Sequence, residues 1–194
     1  MEKALSEMTL EELWALFPIV LSEHKNAWKD WYTDEAKRIS TLLPMEDFRI
    51  NHIGSTAINR IQAKPIIDIL VEIPKNASME VIKEVLTANG YLCMSECENR
   101  KAFNKGYTRK GFAEKVFHLH LRYMGDNDEL YFRDYMNSHL EAAQKYEQLK
   151  VSLSKRYEHN RDAYTNAKGS FVTQYTQQAK KEYKNRYAGA CYHD

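Results

Sequence analysis

Residues 50–73 read Ile50-Asn-His-Ile-Gly-Ser-Thr-Ala-Ile-Asn-Arg-Ile-Gln-Ala-Lys-Pro-Ile-Ile-Asp-Ile-Leu-Val-Glu-Ile73. The second half decides the fold. Ile66, Ile67, Asp68, Ile69, Leu70, Val71, Glu72 and Ile73 form a β-branched run opened by Pro65 and closed by Pro74. That is the pattern of a buried strand with a fixed start and stop. A carboxylate inside such a run is costly to bury unless it is hydrogen-bonded, paired or bound to a cation. Asp68 therefore needs a partner. The first half supplies a context, because Gly54 is followed by Ser55 and Thr56. A glycine lets the backbone approach a ligand, and the N–H groups of a following helix start can hold a phosphate. Ser55 or Thr56 also suits a helix cap. Lys64 adds a cation at the same end of the strand.

A second element carries chemistry. In Val116-Phe-His-Leu-His-Leu-Arg-Tyr-Met124, His118 and His120 alternate with Phe117, Leu119 and Leu121. Both imidazoles thus leave one strand face, about 7 Å apart along it. The spacing suits two ligands of one ion, two contacts to one anion, or two ordinary solvent-side residues. Of the pair, His120 is the expected inward partner of Asp68.

These stretches resemble the GrpB family in Gly54-Ser55, in Lys64-Pro-Ile-Ile-Asp68-Ile, in His118-Leu-His120 and in Trp28 with Glu35 seven residues on. Further likenesses are Phe132-Arg-Asp-Tyr135, His139-Leu-Glu-Ala142, Tyr146 with Leu149-Lys150, and Tyr164-Thr-Asn-Ala-Lys168. The resemblance spans about residues 18–182. It implies an α/β (α+β) fold like that of the nucleotidyltransferase superfamily: a mixed sheet flanked by helices, with a core over about 18–125 and C-terminal helices over about 129–182. It also implies nucleotidyl or phosphoryl transfer from a nucleoside triphosphate. Gly54, Ser55 and Thr56 would grip phosphates, and Asp68 would hold Mg²⁺ or another divalent metal with His118 and His120 as further ligands or as a base. Lys64, Arg133 and Lys168 would add positive charge against phosphate; Glu35 is expected as a solvated helix carboxylate, with pointing into the site as the alternative. The sequence departs from the pattern at Asn59-Arg60-Ile61, where the family has Pro-Gly-Leu, and at Leu70, where the superfamily has a second acid. Glu72 shares a strand face with Asp68 but lies about 13 Å along it, too far to share one metal. The alternative implied is a module that binds a phosphate-bearing ligand without turning it over.

The rest of the chain frames this site. Thr9 and Glu12 form a capping box for a helix over 9–17. Pro18 to His24 reads as an edge strand. Trp28, Trp31, Tyr32, Ala36, Ile39 and Leu42 recur at core-facing spacing in a helix over about 27–42. Strands are expected over 47–53 and 91–96. Ser78 should cap a helix with Val81, Ile82, Val85 and Leu86 inward, stopped by Asn89-Gly90. The basic residues 97–112 suggest a hairpin or a mobile loop, solvated or acting as a lid over phosphates. Two helices follow from about 129 to 159, a last one starts at Asp162, and residues 171–194 read as a polar tail. Residues 126–129 lack the glycine and closing glutamate of a calcium loop.

With 28 basic against 27 acidic residues, the chain has no global field to attract nucleic acid or an anionic membrane. Three cysteines with no Cys-x-x-Cys pair argue against a disulfide framework or zinc ribbon. No apolar run is long enough to span a bilayer and no signal-peptide core is present. The expectation is a cytoplasmic protein whose partner is a nucleotide or other phosphate-bearing small molecule.

Overall fold

The computed structural model describes residues 3–184 and 186–187. Helix α1 (Leu10–Leu16) starts as expected. Thr9 Oγ1 accepts from the Glu12 N–H at 3.2 Å, and the Glu12 carboxylate accepts from the Thr9 N–H at 2.8 Å. Residues 18–24 do not form an edge strand. Ile19 N–H bonds to the Glu158 carbonyl and Ser22 makes a single antiparallel bridge to Ala63, so this segment's hydrogen bonds go to loops and not to the sheet. Helix α2 (Ala27–Leu42) buries Trp28, Glu35 and Ile39.

The sheet contains β1 (Arg49–Ile53), β2 (Ile66–Ile73), β3 (Leu92–Cys97), β4 (Arg100–Thr108) and β5 (Gly111–Tyr123), in the order β1-β2-β5-β4-β3. Only β2 and β5 run parallel. The sheet is therefore mixed, as expected. Side chains alternate along each strand. Ile67, Ile69, Val71 and Ile73 of β2 and Phe117, Leu119 and Leu121 of β5 join Trp28 and Ile39 of α2 and Ile82 and Leu86 of α3 (Met79–Ala88) in the main core. In α3 the inward residues are Met79, Ile82 and Leu86, while Val81 is exposed. The helix rotates its stripe by one position because Met79 enters the core.

Residues 97–112 form β4 and its tight turn into β5, so the hairpin is present and the lid is not. Arg100 pairs with Asp126 at 2.6 Å, Lys101 with Glu80 at 2.6 Å, and Lys105 with Glu35. Glu35 also accepts from the Tyr91 hydroxyl at 2.7 Å. It thus lies on the core side of the sheet, away from the expected site.

The opposite sheet face carries Asp68, Leu70 and Glu72 of β2 beside His118, His120 and Arg122 of β5. Four helices follow β5: α4 (Asp128–Ser138), α5 (Leu140–Arg156), α6 (Arg161–Ala167) and α7 (Gly169–Tyr183). The segment expected to be one final helix and a polar tail is, as far as Tyr183, two helices parted at Lys168, and residues 185 and 188–194 of the expected tail lie outside the described residues. Phe171, Val172 and Tyr175 of α7 pack on a cluster of Ile58, Ile61, Phe132, Met136 and Tyr146, which is why this polar-looking stretch is held. Among the described residues, no helix is long and apolar enough to cross a membrane.

Candidate functional site

Asp68 sits where β2 meets β5 in register with His118. Its Oδ1 is 3.2 Å from His118 Nδ1 and 3.8 Å from His120 Nε2. The closer imidazole is thus His118, not His120. His118 Nε2 faces two donors, the Tyr107 hydroxyl at 2.8 Å and Arg161 Nη2 at 3.0 Å. A guanidinium only donates, so Nε2 accepts and the ring proton of the neutral imidazole lies on Nδ1, toward Asp68. Burial lowers the His118 pKa, with Asp68 opposing and Arg161 and Lys64 adding to the drop. Burial pushes the Asp68 carboxyl up, but the two histidines outweigh it and leave the group below the ordinary carboxylate range. Asp68 is a fixed anion.

Gly54 owes its identity to that anion. It has φ +70°, and a Cβ built there would lie 2.1 Å from Asp68 Oδ2. The close approach that the glycine permits is the carboxylate's own. The turn after it, Ser55–Ala57, is a single 3₁₀ turn and has no helix dipole to offer a phosphate. Thr56 is buried, with its hydroxyl donating to the Ile66 carbonyl at 3.2 Å and lying 3.0 Å from His52 Nε2. It is a structural residue, and burial holds its partner His52 at a pKa of about 4. Ser55 does line the pocket, 3.5 Å from the Tyr146 hydroxyl.

Around Asp68 lies a pocket of about 550 Å³ lined by Ser55, Lys64, His118, His120, Lys150, Arg161 and Lys168. Lys64 and Lys168 both stand over the Tyr164 ring, at 5.4 and 4.2 Å from its centroid, a cation–π platform. Lys150 is 1% exposed, donates to the Gln62 carbonyl and lies over Tyr146. Burial brings Lys64 and Lys150 down to a pKa of about 7 and Lys168 to about 8, with neighbouring cations helping in each case. Four cationic side chains and two imidazoles thus share the pocket with two carboxylates, Asp68 and the more exposed Asp162.

Arg133 is not among them. Its Nε pairs with Asp134 at 2.8 Å and its Nη1 donates to the His52 carbonyl at 2.8 Å, so it ties α4 to β1. Sequence reasoning missed Lys150, Arg161 and Tyr107. Lys150 had a signal: it lies four residues after Tyr146 on the apolar stripe of α5, where a lysine is out of place. Arg161 and Tyr107 had none, because their meeting depends on the path of the chain between α5 and α6.

The donor set does not fit a pair of Mg²⁺ ions held by the protein. Mg²⁺ takes oxygen ligands in octahedral geometry, and Asp68 offers the pocket's one inward carboxylate beside imidazoles. Leu70, in the place of the second acid, is fully buried against Ile53 and Leu130. Glu72 is turned to the Gly125 N–H at 3.2 Å and the Asn127 amide at 2.9 Å. Both nitrogens of His118 are already engaged. Among the described residues, no group of three His, Cys, Asp or Glu is arranged to hold a metal ion.

A five-stranded mixed sheet flanked by helices, with a Gly-Ser turn beside a strand-borne aspartate, defines an α+β protein. The sequence matches the family model described as GrpB protein over residues 18–178, and the chain belongs to the GrpB family. It is 34% identical over 160 residues to the glutamate-rich protein GrpB of Alkalihalophilus pseudofirmus, covering 79% of this chain and 91% of that one. It is 31% identical to YqkA of Bacillus subtilis over 87% of this chain, which spans 48% of that relative. The crystal structure of the conserved protein GrpB from Enterococcus faecalis superposes with a TM-score of 0.74 at 26% identity, covering 84% of this chain and 99% of that one.

Proposed function

We propose that this protein binds a phosphate-bearing small molecule, a nucleoside triphosphate by class, and that it does so through side-chain cations. The observation that carries the reading is the convergence of Lys64, Lys150, Arg161 and Lys168 on one pocket, against the two carboxylates of Asp68 and Asp162. Such an excess of positive charge in a half-closed site favours a multiply charged anion. The phosphates would lie over the Tyr164 platform, with Ser55 as a hydroxyl donor. Asp68 would bound one edge of the site and repel the ligand's charge, and the lysines whose pKa burial lowers would regain their protons on that charge.

A second reading is nucleotidyl or phosphoryl transfer with a divalent metal. It is favoured by the retention of a permanently charged Asp68 that is open to the pocket, with 26% of its side chain exposed. A metal carried in by the triphosphate would need only this one carboxylate from the protein.

Thermal-shift measurements with nucleoside triphosphates and inorganic polyphosphates, in EDTA and in Mg²⁺, separate the two readings. A ligand that binds only the native state raises the melting temperature by mass action. The cationic reading expects a shift in EDTA that survives Asp68→Asn. A shift that requires Mg²⁺ and disappears in Asp68→Asn would move the assignment to metal-dependent transfer. No shift with any polyphosphate would defeat both.

A further inference from the structure

The cationic pocket adjoins a second, largely apolar cleft of about 620 Å³. One wall is the segment before residue 18, with Leu10, Leu13 and Trp14; the other is the free side of the sheet, with Leu92, Met94 and Ala102. His118, His120, Arg161 and Asp162 line both spaces and form the boundary between them. Leu10, Leu92 and Met94 are 56, 50 and 59% exposed, so three large apolar side chains gather at one opening. Such clustering marks a binding surface more often than a scattered apolar residue does. The first wall precedes the residues that match the family model, 18–178.

We propose that the two spaces together hold one amphipathic ligand: a phosphate ester whose anionic head lies among the lysines and whose uncharged, apolar body fills the cleft. The inference rests on the phosphate reading of the pocket and adds the substrate class. Two features select this occupant. The spaces share His118, His120, Arg161 and Asp162 as lining, so a head placed beside Asp68 lies next to the cleft. The six wall residues named above carry no charge, which suits an alkyl or aryl body and disfavours a charged one.

Calorimetric titration with methyl phosphate, hexyl phosphate and hexanol tests this. Each buried methylene is worth about fourfold in affinity, so even two buried carbons make hexyl phosphate more than about tenfold tighter than methyl phosphate. That gain should disappear in Leu10→Gln and Met94→Gln, whose exposed positions put folding at little risk. Methyl phosphate titrated into the same variants reports whether the cationic pocket is intact. Equal affinity for methyl and hexyl phosphate would overturn the proposal and leave the phosphate pocket standing. Hexanol binding as tightly as hexyl phosphate would overturn both, since the head would then go unread. Failure of every phosphate to bind would also sink both.

Discussion

At the scale of single residues, the account turns on the contact between Gly54 and Asp68. Gly54 combines φ +70° and ψ −170°, a region essentially reserved for glycine that costs other residues about 1–3 kcal/mol. A methyl group there would also meet the Asp68 carboxylate. Gly54→Ala is expected to lower the unfolding free energy from urea titration by an amount of that order, with a lower midpoint, and to swing Asp68 out of line with His118. An unchanged midpoint would show that the turn is freer than its geometry implies. Asp68→Asn gives the sharper chemical result. Removing this anion from among the cations should tighten pyrophosphate binding in EDTA by well over tenfold, since a unit charge about 4 Å away is worth about 4 kcal/mol at an effective dielectric near 20. Weaker binding in the variant would mean that Asp68 recruits a metal for the ligand.

At the scale of elements, β2 carries two carboxylates with different fates. Asp68 faces the pocket, whereas Glu72 is fully buried and holds the turn between β5 and α4 through Gly125 and Asn127. Glu72→Ala would strand those donors, and hydrogen bonds to a charged group are worth about 1.5–3 kcal/mol each. Chemical denaturation should show a loss of that order, with pyrophosphate affinity unchanged. A loss of affinity would return Glu72 to the site.

The sheet was legible in the sequence because β2 and β5 write their alternation in β-branched, aromatic and histidine residues, and Thr9, Ser78 and Pro65 mark their own boundaries. The half of the pocket carried by those strands was legible for the same reason. The helical half was not. Lys150 and Arg161 reach the pocket through the packing of α5 and α6, and the only local trace is a lysine on the apolar stripe of α5. Thr56 and Arg133 look like ligand contacts until their hydroxyl and guanidinium are seen to be taken up by Ile66 and by Asp134 with the His52 carbonyl. The basic stretch 100–105 misled similarly, because each cation meets an acid supplied by a distant helix or turn.

At the scale of the molecule, the site is an electrostatic strain on the unliganded fold. Lys64, Lys150 and Lys168 have folded-state pKa values of about 7, 7 and 8, below the usual 10.5. Between roughly pH 7 and 10 the unfolded chain therefore holds more protons than the folded one, and stability rises with pH across that window. The melting temperature without ligand should climb from pH 7 toward pH 9, and a bound polyphosphate should flatten the slope. Calorimetry at pH 8 in buffers of different ionisation enthalpy should show net proton uptake on binding. Proton release would contradict the assignment of these lysines to the ligand.

The most direct test of the central claim is a calorimetric titration of pyrophosphate in EDTA at pH 7, comparing the native sequence with Lys168→Gln. Lys168 lies at the junction of α6 and α7 and is only partly buried, so the substitution should leave the fold intact. Loss of one charged donor to phosphate predicts a Kd weakened by about tenfold or more, with binding to the native protein clear in the absence of metal. Equal affinity in the two proteins, or no binding to the native one without metal, would contradict a pocket that reads phosphate through its own cations.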